Sequence, residues 1–223
     1  MAGRDGAVAP QLSFMRGVNL GNRLDAPNEG DWGAVLNDTA FNSIASLPFD
    51  HVRLPVRFSG HAAAAAPYTL DETFMQRVDW AVDQALSNDL SIILDLHHYD
   101  ELHTDPDAHA ARYLALWEQI AMRYAARPET VAFELLNEPK DVLVPGWNEL
   151  AAQAVAVVRR TNPTRRLIVD AAPLAGIAGL AALLLPNDPN LVASVHSYDP
   201  VLFTLQGGQQ FAGPAWSVKR TGS

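Results

Sequence analysis

Two carboxylates and an amide stand together at the end of an apolar run: Glu134, Asn137 and Glu138 in VAFELLNEPK, Val131–Lys140. A carboxyl group whose surroundings raise its pKa can carry a proton to or from a reacting bond. Pro139 has no N–H to give a sheet ladder, so a strand is expected to stop there with Glu138 at its carboxyl end. Counting back by twos puts Glu134, Leu136 and Glu138 on one face, with Val131, Phe133 and Leu135 on the other. An unpaired charge is costly to bury, so Glu134 calls for a cation opposite, and Arg53 or Arg16 is expected to supply it. Further polar residues end other apolar runs: Asn19, Arg57, His97, Asp170 and His196. His97 and His98, with His103 and His109 beyond, raise the question of a metal. Neighbouring residues of a strand face opposite sides, so the pair is not expected to share an ion, and no metal is expected.

These residues need elements to hold them. Strands are expected at Arg16–Leu20, His51–Arg57, Ser91–His97, Val131–Glu138, Leu167–Asp170 and Leu191–His196, each rich in apolar residues. Between them fall helical patterns: Phe41–Leu47, ended by Pro48; Thr69–Ser87, with Phe74, Val78, Ala81, Val82, Ala85 and Leu86 at helical spacing; and Asp107–Ala125, with Tyr113, Leu116, Trp117, Ile120 and Tyr124 as its buried stripe. Trp147–Arg160 and a small apolar helix over Leu174–Leu185 follow. A Gly/Asn/Asp-rich loop runs through Gly33, and the alanine-rich His61–Pro67 reads as a loop or short helix. Apolar strands alternating with helices imply a parallel sheet covered on its faces. Polar residues at every strand's carboxyl end favour a (β/α)8-type barrel, whose site is built from the βα loops. No Gly-rich phosphate fingerprint follows any strand, since Gly17-Val18-Asn19-Leu20-Gly21 has the wrong pattern for a dinucleotide turn, and no cofactor is expected.

Bulk properties narrow the partners. The chain has 223 residues, 48% hydrophobic and 18% charged, an ordinary globular composition without a dividing linker. A formal charge of -9 argues against nucleic acid or an anionic membrane and suits a neutral substrate such as a sugar. The absence of cysteine removes disulfides, thiolate zinc sites and thiol nucleophiles. No run is long enough for a membrane span. The start, MAGRDGAVAP, lacks the basic and apolar segments of a secretion signal, which leaves the compartment open.

RGVNLGN, HVRLPVRF, LDLHHYD, FELLNEP and VHSYDP follow one another between Arg16 and Pro200. In that order they resemble the first, second, third, fourth and sixth strand signatures of glycoside hydrolase family 5, the cellulase-like retaining enzymes on a (β/α)8 barrel. The resemblance implies that Glu138 is the general acid/base and that Asn137 binds the sugar 2-hydroxyl. It implies that Arg53 orients the nucleophile, and that His97, His196 and Tyr198 line the cleft. His98, Asn19 and Trp32 join them as candidate substrate-binding residues, Trp32 by stacking on a sugar ring. The implied substrate is a β-1,4-linked glucan-type polysaccharide or oligosaccharide, with secretion the family's usual habit. Retaining hydrolysis needs a protonated and an ionised carboxyl about 5 to 5.5 Å apart, so Glu138 is expected to have a raised pKa.

The sequence then departs from that pattern. The family's nucleophile is a Glu at the seventh strand, whereas Val201–Ser223 holds neither Glu nor Asp. The expectation is one truncated barrel domain over 1–223, with about six βα units, residues 1–10 disordered and 207–223 an irregular tail. The nucleophile is left unknown; Asp199, Asp170, Asp95 and Glu134 are the candidate substitutes, and a catalytically inactive carbohydrate-binding remnant is the alternative. Open barrel edges are expected to be covered by a homodimer or higher homo-oligomer.

Overall fold

The computed structural model describes residues 14–205. The expectations for 1–10 and 207–223 lie outside that range.

Among the described residues six strands form one sheet in sequence order: β1 (Gly17–Asn19), β2 (His51–Val56), β3 (Ser91–Leu96), β4 (Val131–Glu134), β5 (Leu167–Asp170) and β6 (Leu191–Ser194). Every neighbouring pair is parallel. The sheet curls. Arg53 on β2 reaches both Asn19 on β1 and Glu134 on β4, which a flat sheet with strands about 4.8 Å apart would not allow. The result is the expected α/β architecture, an incomplete (β/α)8-type barrel.

Helices α1 (Asp38–Ala45), α2 (Glu72–Ser87), α3 (Asp100–Thr104), α4 (Pro106–Tyr124), α5 (Trp147–Arg159) and α6 (Val201–Thr204) lie between or after the strands. Side chains start α1, α2 and α4. Asn37, Asp71 and Asp105 accept from the backbone N–H of Ala40, Phe74 and Ala108, satisfying donors that the first turn leaves free. The five expected stripe residues of α4 are all buried. In α2 the stripe is Met75, Val78, Ala81, Val82 and Ala85, with Phe74 and Leu86 only partly covered. Buried aromatic donors then fix the upper ends of two strands. The Tyr113 hydroxyl and Trp117 Nε1 both donate to the Leu135 carbonyl at 3.0 Å, and Trp147 Nε1 donates to the Asp170 carbonyl at 2.8 Å. These bonds set the height at which Glu138 and Asp170 emerge.

Three expectations need correction. The strand holding Glu134 ends at that residue, not at Glu138. The N–H groups of Leu135 and Asn137 still bond to Ile168 and Leu96, but the chain turns at Glu138, whose φ is +46°. The short helix α3 follows β3 directly and was not anticipated, because five residues carry no readable period. Leu174–Leu185 is not an α-helix: only Ile177–Ala182 forms 3₁₀ turns. Gly179 is the reason, since a Cβ there would stand 2.3 Å from the Ala172 carbonyl oxygen. The chain needs glycine for that approach, and glycine is a poor helix former.

The two sides of the sheet differ in coverage. Strands β2 to β5 are almost wholly buried, whereas β6 is half-exposed or open along its length. Ile177, Leu184, Val192 and Val195 expose large apolar surface beside it.

Candidate active site

Arg53 organises the carboxyl end of the sheet. Asp95 and Glu134 face each other in the β3–β4 register, both buried. Arg53 grips Glu134 with two bonds, Nε to Oε2 at 2.7 Å and Nη2 to Oε1 at 2.6 Å, and lies 2.8 Å from Asp95 Oδ2. This is the fork geometry that makes arginine the apt cation for a buried carboxylate. Arg53 thus supplies the counter-charge expected for Glu134. Its remaining donors fix two amides, Asn19 Oδ1 at 2.9 Å and Asn137 Oδ1 at 3.0 Å. Burial would lower its pKa, but Asp95 and Glu134 more than offset this, and the net direction is up. Asp95 moves up as well, first from its own burial and then from the charge of Glu134. Its Oδ2 meets His97 Nδ1 at 2.5 Å. Burial, helped by the Arg53 charge, holds His97 at about 4, so its ring is neutral near pH 7.

A second group centres on Glu138. His196 Nδ1 lies 2.7 Å from Oε1, and the Tyr198 hydroxyl donates to the same oxygen at 2.9 Å. The Glu138 N–H donates to Asp170 Oδ2 at 3.0 Å, and His196 Nε2 lies 3.6 Å from that oxygen. Asp170 is buried, and burial plus the charge of Glu134 pushes it up to about 7. His196 is raised, chiefly by its bond to Glu138. Glu138 itself is lowered, chiefly by the same bond. This reverses the expected direction. Two donors converge on one oxygen of Glu138, and their stabilisation of the carboxylate outweighs burial. Burial and Glu138 push Tyr198 up to about 12, so it stays a donor.

A cleft of about 790 Å³ opens above both groups. Eight of the nine candidate residues line it: Asn19, Arg53, His97, His98, Asn137, Glu138, His196 and Tyr198. Trp32 is not in its wall; it stands at the rim, 44% exposed, with its ring edge-on to His98 at 5.5 Å. Trp117 is core. Arg57 does not line the cleft. Asp25 does, and was missed. It sits in the loop after β1, where its carboxylate accepts from the N–H groups of Asn22 and Arg23. An acid in a loop rich in Gly, Asn and Asp looks like ordinary turn chemistry, and only the curled sheet brings it to the site.

His97 and His98 do not face opposite sides, as strand alternation would have them. β3 ends at Leu96, and His98 has a φ of +49°, which turns its ring to within 4.4 Å of the His97 ring. His103 and His109 do not join them: His103 accepts from the Lys140 N–H, and His109 pairs with the Tyr99 hydroxyl.

The family model described as Cellulase (glycosyl hydrolase family 5) matches residues 15–220. Endoglucanase H of Acetivibrio thermocellus is 34% identical over 189 residues, covering 84% of this chain and 21% of that protein. Endoglucanase B of Clostridium cellulovorans is 28% identical, over 90% of this chain and 51% of its own length. Among solved structures, endoglucanase Cel5A from Thermotoga maritima superposes with a TM-score of 0.86 at 44% identity, over 89% of this chain and 65% of that one. The chain thus spans between a fifth and about half of these curated relatives.

Proposed function

The chain belongs to glycosyl hydrolase family 5, and on that footing we propose that its cleft binds β-1,4-linked glucan-type chains, with Glu138 as the proton-transferring carboxyl. The relatives named above are endoglucanases, which supports this substrate class. The observation that carries the reading is the convergence of His196 and Tyr198 on Oε1 of Glu138, in a cleft where Arg53 fixes the amides of Asn19 and Asn137. A sugar offers hydroxyls that can donate to Asn19 and Asn137 oxygens and accept from imidazole N–H groups. Glu138, ionised in the free cleft, takes up a proton before it serves as an acid.

A retaining site pairs its acid/base with a carboxylate nucleophile. Of the four candidate substitutes, Asp95, Glu134 and Asp170 are buried, and none of the four, Asp199 included, lines the cleft. Among the described residues the cleft therefore holds the acid/base half of a pair. This favours, as a second reading, a carbohydrate-binding unit that does not turn substrate over. Hydrolysis of an aryl cellobioside, with cellotetraose binding measured by calorimetry, separates the two. Activity that disappears in Glu138→Gln supports the hydrolase. Cellotetraose binding without turnover supports the binding unit, and failure to bind any glucan overturns both. The same reading takes the open flank of β6 as a surface covered by a second copy of the chain. Light scattering should then report a dimer or larger assembly; a monodisperse monomer ends that idea.

A further inference from the structure

We propose that Asp25, His97 and His98 form a site for a borderline transition-metal ion, zinc above all, within the cleft. The proposal does not depend on the glucan reading. One ligand atom from each residue lies within 4.8 Å of the other two. Tetrahedral zinc with bonds near 2.0 Å wants its ligand atoms about 3.3 Å apart, so small side-chain rotations close the site. Three features make these groups available. His97 Nδ1 is engaged by Asp95, which leaves Nε2 to ligate and supplies the carboxylate backing typical of metal-bound histidine. His98 is turned toward His97 by its left-handed backbone, and the Trp32 ring meets it edge-on. Asp25 is fixed by two backbone N–H groups, each on a different oxygen, and each oxygen keeps a free lone pair.

The donor set selects the ion. Two imidazole nitrogens and one carboxylate oxygen suit zinc, cobalt, nickel or copper, whereas magnesium prefers all-oxygen octahedra. Three protein ligands leave a fourth position for water or a solute. A metal there occupies space that a ligand in the cleft would use, so zinc and cellotetraose should compete.

Calorimetric titration of the tag-free chain with zinc chloride tests this. One site is expected in the wild type, with magnesium giving no heat. Two variants should each weaken zinc at least about tenfold: Asp25→Asn, and His98→Asn, where asparagine tolerates the left-handed backbone. His109→Gln, outside the cleft, should leave binding unchanged. Histidine ring signals in NMR give a readout free of variants, and those of His97 and His98 should shift or broaden first. Absence of zinc binding in the wild type, undiminished binding in both variants, or signals shifting elsewhere would overturn the proposal. If zinc binds and no glucan does, the metal site stands and the glucan reading falls.

Discussion

Arg165 and Arg53 are both largely buried arginines, and they solve opposite problems. Arg165, 2% exposed, precedes β5 and spends its donors on neutral oxygens: the carbonyls of Pro128, Val131, Tyr124 and Arg127, and the side chain of Asn162. Arg53 spends its donors on two carboxylates and on amides that line the cleft. The first cation ties together the lower ends of β4 and β5 and the end of α4. The second holds charge in place where a ligand would sit. Stability and function are thus carried by the same side-chain type at different sites, and their partners decide which.

The largest expected effect is at Arg165. Arg165→Met takes their donor from the Val131 and Arg127 carbonyls and from Asn162 Oδ1, while Pro128 and Tyr124 keep a backbone N–H each, a loss of about 3 kcal/mol. Carbonyls do not titrate, so urea unfolding at pH 5 and pH 8 should show the same loss. A loss under about 1 kcal/mol, or one that changes steeply with pH, would break the distinction between the two arginines.

Arg53→Met should behave otherwise. Asp95 and Glu134 then lose their cation, but carboxyls can take up protons. Asp95, whose folded pKa is raised, costs little at low pH and progressively more as pH rises through that value. The stability loss relative to wild type should therefore be small near pH 5 and grow toward pH 8, by about 2 kcal/mol. Cellotetraose affinity should fall at least about tenfold at either pH, because Asn19 and Asn137 lose their common anchor. A flat pH response would mean that the carboxylates are held by something other than Arg53.

The His196–Glu138 pair tests the cleft on a finer scale. His196 is raised, so its contribution is fully present below the ordinary value of 6.5 and is lost as pH rises through the folded value. Glu138 is lowered, so its contribution is present above 4.5 and is lost as pH falls through the folded value. The difference in stability between wild type and His196→Gln should peak between those limits, at roughly 1 kcal/mol, and shrink on both sides. A difference that keeps rising above pH 8 would rule out the ion pair.

What the sequence shows and what it hides divides along similar lines. The strands, the long helices and the Glu134–Arg53 pairing follow from period and from the cost of an unpaired charge, which are local or pairwise rules. The approach of His98 to His97 does not follow, because a single positive φ just past β3 overrides strand alternation. Glu138 is displaced from the expected strand in the same way. Asp25 became visible only through the curl of the sheet, which brings the loop after β1 over β3. Its own neighbours in sequence look like turn residues. The direction of the Glu138 shift depends on two donors from the β6 end, 58 and 60 residues away. Leu174–Leu185 misled because its apolar spacing suits a helix, while a backbone approach at Gly179 requires otherwise.

Trp32 gives the smallest expected effect and the cleanest separation of ligand from fold. It is nearly half exposed and touches His98 only edge-on, so little of the core depends on it. Trp32→Ala should change unfolding free energy by about 0.5 kcal/mol or less, as for an ordinary surface substitution. If its indole stacks on a sugar at the rim, the lost contact is worth about 0.5–1.5 kcal/mol, a fall in cellotetraose affinity of roughly two- to tenfold. Arg165→Met would then move stability alone, Arg53→Met both quantities, and Trp32→Ala binding alone. Calorimetry with cellotetraose on the Trp32 variant settles the last of these. Unchanged affinity would place the glucan wholly within the cleft wall and leave Trp32 as a prop for the ring of His98.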